Sequence, residues 1–160
     1  MSNSICKENP ISRVKRNHGL EHATLHVLGR KFPKTSFGGI STPLGFTIIG
    51  DVSTEDVAEA AIEALKRLRA GEADLAMHDN CGTNYAVTGA FVGMFAWLGT
   101  IGSDKKFSKK LERLPLVMLL AVIGFILARP LGPMVQKQLT TSGQPGALEL
   151  EKVETSVRAG

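Results

Sequence analysis

Two long segments without charge constrain this chain more than any other feature. Residues 81–103 and 114–128 contain no charged side chain, and each reaches the roughly 20 residues that span a bilayer when its polar or Pro/Gly-rich ends are included, to Gln136 in the second. The linker between them, DKKFSKKLER, is strongly charged, as is typical of a loop that closes a membrane hairpin. The pattern predicts a two-helix transmembrane hairpin over residues 81–136. The alternative is a pair of buried helices in a soluble bundle.

The hairpin divides the 160 residues into three parts. Residues 1–80 have mixed polarity and predict a small domain. Residues 137–160 are small and polar, with no apolar period, and predict a disordered tail. The predicted fold class is therefore an α+β membrane protein, with an N-terminal α-β-β-α domain that a further short strand can extend.

Capping and turn signals place the elements of the N-terminal domain. Asn9 and Pro10 predict the start of a first helix, which ends near Gly29. The segments SFGGIST and GFTIIGDV around PLG predict two short strands joined by a tight turn. Ser53 caps a second helix that Gly71 ends, and DLAM is the candidate third strand.

Charge and cysteine content restrict partners and location. The net charge is +4, but the basic residues lie beside the apolar segments and the first helix, without an aromatic platform for nucleic acid. We therefore expect anionic lipid headgroups as the partner and no nucleic acid. Cys6 and Cys81 are too few for a disulfide framework, and no signal peptide is recognisable. We expect a two-pass protein of the cell membrane with its basic N-terminal domain in the cytoplasm.

A small-residue motif in the first apolar segment predicts how the apolar helices meet. Gly89 and Gly93 form a G-x-x-x-G pattern, which permits close helix approach. The partner would be the second apolar helix or another copy of the chain. A homo-oligomer and a larger membrane complex both remain open.

Three of the four histidines lie in the stretch NHGLEHATLH of the first helix. His18, Glu21 and His22 fall within its apolar stripe, where unpaired imidazoles and carboxylates are costly to bury. His18 and His22 are four residues apart and can grip one ion, and with Glu21 they form H-x-x-E-H, the motif of the inverzincin zinc hydrolases. In that chemistry Glu21 would be the general base acting on a zinc-bound water. The alternative is a hydrogen-bonded structural cluster.

A second cluster of metal-ligand types precedes the first apolar segment. His78 and Cys81 lie three residues apart in HDNCGTN, and they supply the nitrogen and sulfur that Zn²⁺ prefers. We expect His18, His22, His78 and Cys81 to converge on one ion. His26, one helical turn further along, is a ligand, a support for the ligands or a surface residue. The alternative is that DNCGTN is a helix-capping turn.

The blocks NHGLEHATLHVL, EALKRLRAGEADLAMHDNCGTN and TGAFVG together resemble the family called domain of unknown function 6391. The resemblance covers residues 17–131 and implies a small bacterial membrane protein with no assigned activity. It also implies that the two clusters form one site. The inverzincin likeness is restricted to five residues, and that family's downstream glutamate has no recognisable counterpart.

Two functions follow from these observations. The first is a membrane-anchored zinc protein with hydrolase or metallopeptidase-like activity. The second is a non-catalytic membrane subunit or assembly factor in which the His/Glu/Cys cluster is structural, because a coordinating Cys81 would close the site to catalysis. Haem or pigment binding by the histidines is a third.

Overall fold

The computed structural model describes residues 9–102 and 107–155 of the chain. Within these ranges it contains five α-helices, a two-stranded sheet and two short helical turns. The chain divides into two compact units, one formed by Met1–His78 with Leu139–Gly160 and the other by Asp79–Gln138. The elements are α1 (Pro10–Lys31), β1 (Gly38–Thr42), β2 (Gly45–Ile49), α2 (Thr54–Arg69), α3 (Gly82–Thr100), α4 (Phe107–Glu112) and α5 (Leu114–Val135).

The predicted fold class is wrong in its main feature. In the described ranges the fold is mostly helical, and a single helical stretch, Leu114–Thr140, is long and apolar enough to cross a membrane. The two-helix transmembrane hairpin is therefore not found. α3 contains the polar residues Thr83, Asn84 and Tyr85 in its first turns and several glycines beyond them, and these residues lower its mean hydropathy.

Helix α1 begins and ends where local chemistry requires it. The Asn9 side chain accepts a hydrogen bond from the Ile11 backbone N–H at 3.0 Å, and Pro10 occupies the first turn. The helix ends at Lys31, two residues before Pro33, because a proline restricts the residue before it to extended conformations. The predicted start is thus confirmed, and the end lies two residues beyond Gly29.

Helix α2 packs on α1 through small side chains. The Ser53 hydroxyl accepts the Asp56 backbone N–H at 3.1 Å and caps the helix, while Gly71 follows its end at a φ of +98°. Because the inward positions of α2 are mostly alanine, α1 and α2 can approach closely. The buried core between them comprises Leu20, Ala23, Val27, Leu28, Ala60, Ala64, Leu65 and Leu68.

The predicted strand pair is present, and the candidate third strand is not. β1 and β2 pair antiparallel, with Gly38 opposite Ile49 and Thr42 opposite Gly45, so that only Pro43 and Leu44 connect them. The segment DLAM, residues 74–77, was predicted as an optional strand, but Ala73–Ala76 form a 3₁₀ helix and Met77 follows its end. Leu75 and Ala76 of this turn are buried in the core of α1 and α2, which explains the apolar residues that suggested a strand.

The C-terminal segment differs from the predicted disordered tail over its described part. Residues 147–155, here named the strap, have no helix or strand. Leu148 and Leu150 nevertheless pack against the core of the first unit, and the Arg69 guanidinium donates a hydrogen bond to the Leu148 carbonyl at 2.8 Å. Residues 156–160 lie outside the described ranges.

The second unit is built on an antiparallel pair, α3 and α5. A Cβ atom added to Gly124 would lie 2.8 Å from the Phe91 carbonyl, and one added to Gly99 would lie 2.9 Å from the Val117 backbone. These glycines therefore permit the close approach. Gly89 and Gly93, predicted to do so, have no described atom within 4 Å of such a Cβ, so the G-x-x-x-G motif does not face α5.

Candidate metal site

The histidines of the chain form one cluster in the first unit. His18 and His22 lie one turn apart on α1, with ring centroids 4.3 Å apart. The ring of His78 lies 5.6 Å from that of His22 and 5.1 Å from that of His26. The sequence predicted that His18, His22 and His78 would meet, and the structure adds His26, whose role the sequence left undetermined.

Backbone carbonyls orient these rings. The His18 Nδ1 lies 2.9 Å from the Thr140 carbonyl oxygen, and the His22 Nδ1 lies 2.7 Å from that of Ala76. A carbonyl oxygen only accepts hydrogen bonds, so each Nδ1 carries a proton and donates. In the neutral ring the lone pair is then on Nε2, as in metal-binding histidines whose other nitrogen donates to the protein.

His26 is held in the opposite sense. Its Nε2 lies 2.7 Å from the Met77 carbonyl and donates to it, so the lone pair of its neutral ring is on Nδ1. The carbonyls that accept from His22 and His26 belong to Ala76, the last residue of the 3₁₀ helix, and to Met77, its C-cap. The predicted strand DLAM thus supplies its carbonyls to histidines rather than to a sheet, and no side-chain pattern in the sequence signals this.

Imidazole is the ligand type that this cluster offers to a metal. His22 is 2% exposed, and the ring of His78 lies beside it. Imidazole nitrogens are ligands that Zn²⁺ prefers, and the histidines of the first unit fit such an ion. Cys81, predicted as a further ligand, belongs to the second unit and is 4% exposed, and its coordination stays a prediction.

Glu21 faces the β-hairpin. Its buried carboxylate accepts a hydrogen bond from the Ser41 hydroxyl, and a Cβ on Gly39 would overlap that carboxylate. One turn earlier, the Asn17 amide donates to the Thr42 carbonyl at 2.8 Å. The H-x-x-E-H motif therefore serves two faces of α1, with the histidines on one and Glu21 on the other.

Comparison with known proteins places the chain in a family. A model of the family described as Domain of unknown function (DUF6391) matches residues 13–153. The chain belongs to the DUF6391 family. It is also 32% identical over 159 residues to an uncharacterised protein of Picosynechococcus, in an alignment that covers 88% of this chain and 71% of that protein.

The DUF6391 match extends beyond the residues that carried the sequence resemblance. It includes α1 from Arg13, the histidine cluster, α5 and most of the strap. No solved structure matches the chain.

Proposed function

We propose that this protein is a membrane-associated zinc-binding protein in which the ion has a structural role. The observation that supports it best is the pair of rings on α1, because His18 and His22 each donate from Nδ1 to a carbonyl and so hold Nε2 as the metal-binding atom. Cys81 is proposed as a further ligand on the basis of the sequence HDNCGTN. A bound zinc ion would join these side chains and add its binding energy to folding.

The position of Glu21 supports a structural role over hydrolysis. A general base must reach the water that it deprotonates, but the Glu21 carboxylate bonds Ser41 and rests against Gly39. If His78 and Cys81 both coordinate beside His18 and His22, the four protein ligands leave no open position of the kind that a catalytic zinc site needs. The role proposed is that of a small membrane subunit or assembly factor.

Membrane association is proposed on the basis of α5. The stretch Leu114–Thr140 is long and apolar enough to span a bilayer, and most of its large apolar side chains are exposed, among them Leu119, Val122, Phe125 and Ile126. Exposed apolar patches of this size are typical of a lipid- or protein-facing surface. The cytoplasmic location of the first unit stays a prediction.

Metal analysis of the purified full chain tests the zinc site. We expect about one zinc per chain, because the ligand set fits a single tetrahedral ion. His22→Ala and Cys81→Ala should each lose most of the metal, and Cys6→Ala, the other cysteine, should keep it. Absence of metal from the wild type, or full retention in Cys81→Ala, would contradict the proposal.

Two further measurements keep the test informative if a variant folds poorly. Cobalt substituted into the wild type should show a thiolate charge-transfer band that is lost in Cys81→Ser, since only a coordinating sulfur produces it. Glu21→Gln should keep its metal, and screening with peptide and ester substrates should detect no zinc-dependent hydrolysis in either protein. Zinc-dependent hydrolysis that Glu21→Gln abolishes would favour the hydrolase instead.

A further inference from the structure

The C-terminal segment of the first unit begins on α1, beside the histidines. The His18 ring donates from Nδ1 to the carbonyl of Thr140 at 2.9 Å, and the backbone N–H of Ser142 donates to the Lys15 carbonyl at 2.9 Å. These contacts belong to residues 140–146, here named the tether, which lead into the strap. A proposed zinc ligand therefore supplies one of the hydrogen bonds that hold the tether on α1.

Two glycines allow the tether to lie directly on its neighbours. A Cβ atom added to Gly19, which follows His18 in α1, would overlap the Ser142 carbonyl. One added to Gly143 would lie 2.7 Å from the side chain of Ala73. The tether thus packs at close range beside the proposed ligands, and a side chain at either glycine would push it away.

The strap depends on separate contacts for its position. Residues 141–155 form no helix or strand. Leu148 and Leu150 pack against the core, and the Leu148 carbonyl accepts a hydrogen bond from Arg69. Segments with few backbone hydrogen bonds open locally at a lower cost in free energy than a helical core does. The gain or loss of one contact therefore changes the docked fraction of the tether and the strap more than it changes the helices.

His18 couples this attachment to the metal site. Its Nδ1 carries the proton donated to Thr140, which leaves Nε2 to bind a metal. A metal on Nε2 holds the ring in this tautomer and orientation, and it draws charge from the ring, which strengthens the donor at Nδ1. A neutral ring without metal can also adopt the other tautomer, in which Nδ1 has no proton to donate. The hydrogen bond to the tether is therefore stronger when His18 binds a metal.

We propose that zinc binding latches the C-terminal segment onto the first unit. With zinc on His18, the tether stays on α1 and the strap covers the core, whereas loss of zinc releases both. This inference rests on the proposed zinc-binding function. Coupling between two binding events is reciprocal, so the docked tether raises the affinity for zinc by the factor by which zinc favours docking. Release exposes the apolar core surface that Leu148 and Leu150 cover.

Hydrogen exchange of the full chain in mild detergent tests the latch. Exchange is followed by mass spectrometry in zinc-loaded protein and after a chelator has removed the zinc. We expect exchange within residues 141–155 to become roughly 5–150-fold faster without zinc, the usual range of such couplings, and exchange in α2 to change much less. Equal acceleration in the two segments would indicate general stabilisation of the fold and would overturn the latch.

The zinc content of the same samples separates this inference from the proposed function. Protein that binds zinc, but whose residues 141–155 exchange at the same rate with and without it, contradicts the latch alone. Protein that binds no zinc contradicts both.

Reciprocity provides a matched pair of variants. Gly19→Ala places a methyl group against the Ser142 carbonyl and should lower the affinity for zinc, measured by competition with a chelator, roughly fivefold or more. Gly29→Ala lies on the same helix, where a Cβ has no described atom within 4 Å, and should leave that affinity unchanged. Equal affinities of the two variants would contradict the latch.

A variant of the strap tests the same coupling without a change next to a ligand. Leu148→Ala combined with Leu150→Ala removes side chains that pack on the core, so the strap should exchange faster and the affinity for zinc should fall. Leu44→Ala removes a leucine that is 89% exposed and should change neither. Faster exchange of the strap with an unchanged affinity for zinc would overturn the proposal.

Discussion

The polar residues of α1 form two rows, and each row contacts a different part of the protein. His18, His22 and His26 direct protonated nitrogens at carbonyls of other segments, while Asn17 and Glu21 bond the β-hairpin. Because residues four apart share a helix face, two such rows fit side by side on one helix. A motif of five letters thus combines two structural roles that its spacing alone does not separate.

The contact between Glu21 and the hairpin predicts an unusual sensitivity at Gly39. Gly39→Ala should lower the free energy of unfolding by about 1–3 kcal/mol, because the added methyl group overlaps the buried Glu21 carboxylate. Gly38→Ala is the control, since a Cβ at that position has no described atom within 4 Å. Chemical denaturation measures both.

A second variant at Glu21 separates this contact from a general effect of alanine in the strand. If the overlap is the cause, Gly39→Ala should cost less in a Glu21→Ala background than in the wild type. Equal costs in both backgrounds, or equal costs at Gly38 and Gly39, would contradict the contact.

The site residues could be predicted only where their chemistry is visible in the sequence. His18 and His22 are expected as ligands because imidazoles in an apolar stripe need partners, and His78 and Cys81 because they supply the nitrogen and sulfur that Zn²⁺ prefers. The carbonyls of Ala76, Met77 and Thr140 could not be predicted, because every residue has a carbonyl and only the fold selects those three. Glu21 was assigned to the histidine face, since spacing does not reveal which neighbour a side chain between two rows will contact.

Among the elements, α1 and α2 are joined at the surface by ion pairs. The Lys31 ammonium lies 2.6 Å from the Asp56 carboxylate and 2.9 Å from that of Glu59. The hydrogen bond from Lys31, and then that from Ser53, hold the pKa of Asp56 below its ordinary value. The hydrogen bonds to Asp56 and Glu59 raise the pKa of Lys31 above its ordinary value.

These directions predict the pH range in which the pair stabilises the fold. The Asp56 contribution is complete above the ordinary aspartate pKa of about 3.9 and is lost as the pH falls through the lowered folded value. The Lys31 contribution is complete below its ordinary pKa of 10.5 and is lost as the pH rises through the raised folded value.

Lys31→Met should therefore lower Tm slightly at neutral pH, because the pair is exposed. The difference from the wild type should vanish as the pH is lowered through the folded pKa of Asp56. Lys34→Met removes an exposed lysine near the same helix end and should show no such trend. A difference between Lys31→Met and wild type that persists in acid would rule out the ion pair as its cause.

Glycines determine the distance between α3 and α5, so an added side chain at the interface should destabilise the helix pair. Gly124→Ala should destabilise the helix pair by about 1–3 kcal/mol, because the new Cβ would lie 2.8 Å from the Phe91 carbonyl. Gly93→Ala, in open space on α3, should be neutral or stabilising, because alanine favours a helix over glycine. Thermal unfolding in mild detergent compares them, and equal shifts would contradict the assigned interface.

The elements that have clear end signals were the ones that sequence patterns predicted. Asn9 and Pro10, Ser53 and Gly71 mark helix ends through backbone hydrogen bonds and φ angles that depend on local residues alone. The strap was not predicted, because only its short stretch LELE alternates apolar and charged residues, and a half-buried extended segment is recognised from a longer alternation. The lack of charged residues in α3 predicts a membrane span. An uncharged helix can still have too low a mean hydropathy to span a bilayer, and this is the case for α3.

At the scale of the whole molecule, the one candidate span among the described residues predicts a sharp response to charge. Ile126 lies near the middle of Leu114–Thr140 and is 58% exposed. Ile126→Arg should reduce the fraction of protein that resists carbonate extraction from membranes, because arginine at the centre of a span costs roughly 3 kcal/mol. Leu139→Arg, at the end of the stretch, should be tolerated. Equal extraction of both variants and wild type would exclude α5 as a span.

The first unit combines residues that precede the apolar helices in the sequence with the strap, which follows α5 in the sequence. Residues 10–78 leave the ribosome well before residues 139–155 do, and the core face that Leu148 and Leu150 cover stays open in the interval. During synthesis, the apolar helices are therefore completed before the strap can cover the core of the first unit. A stalled or truncated chain would present that open face to chaperones and proteases.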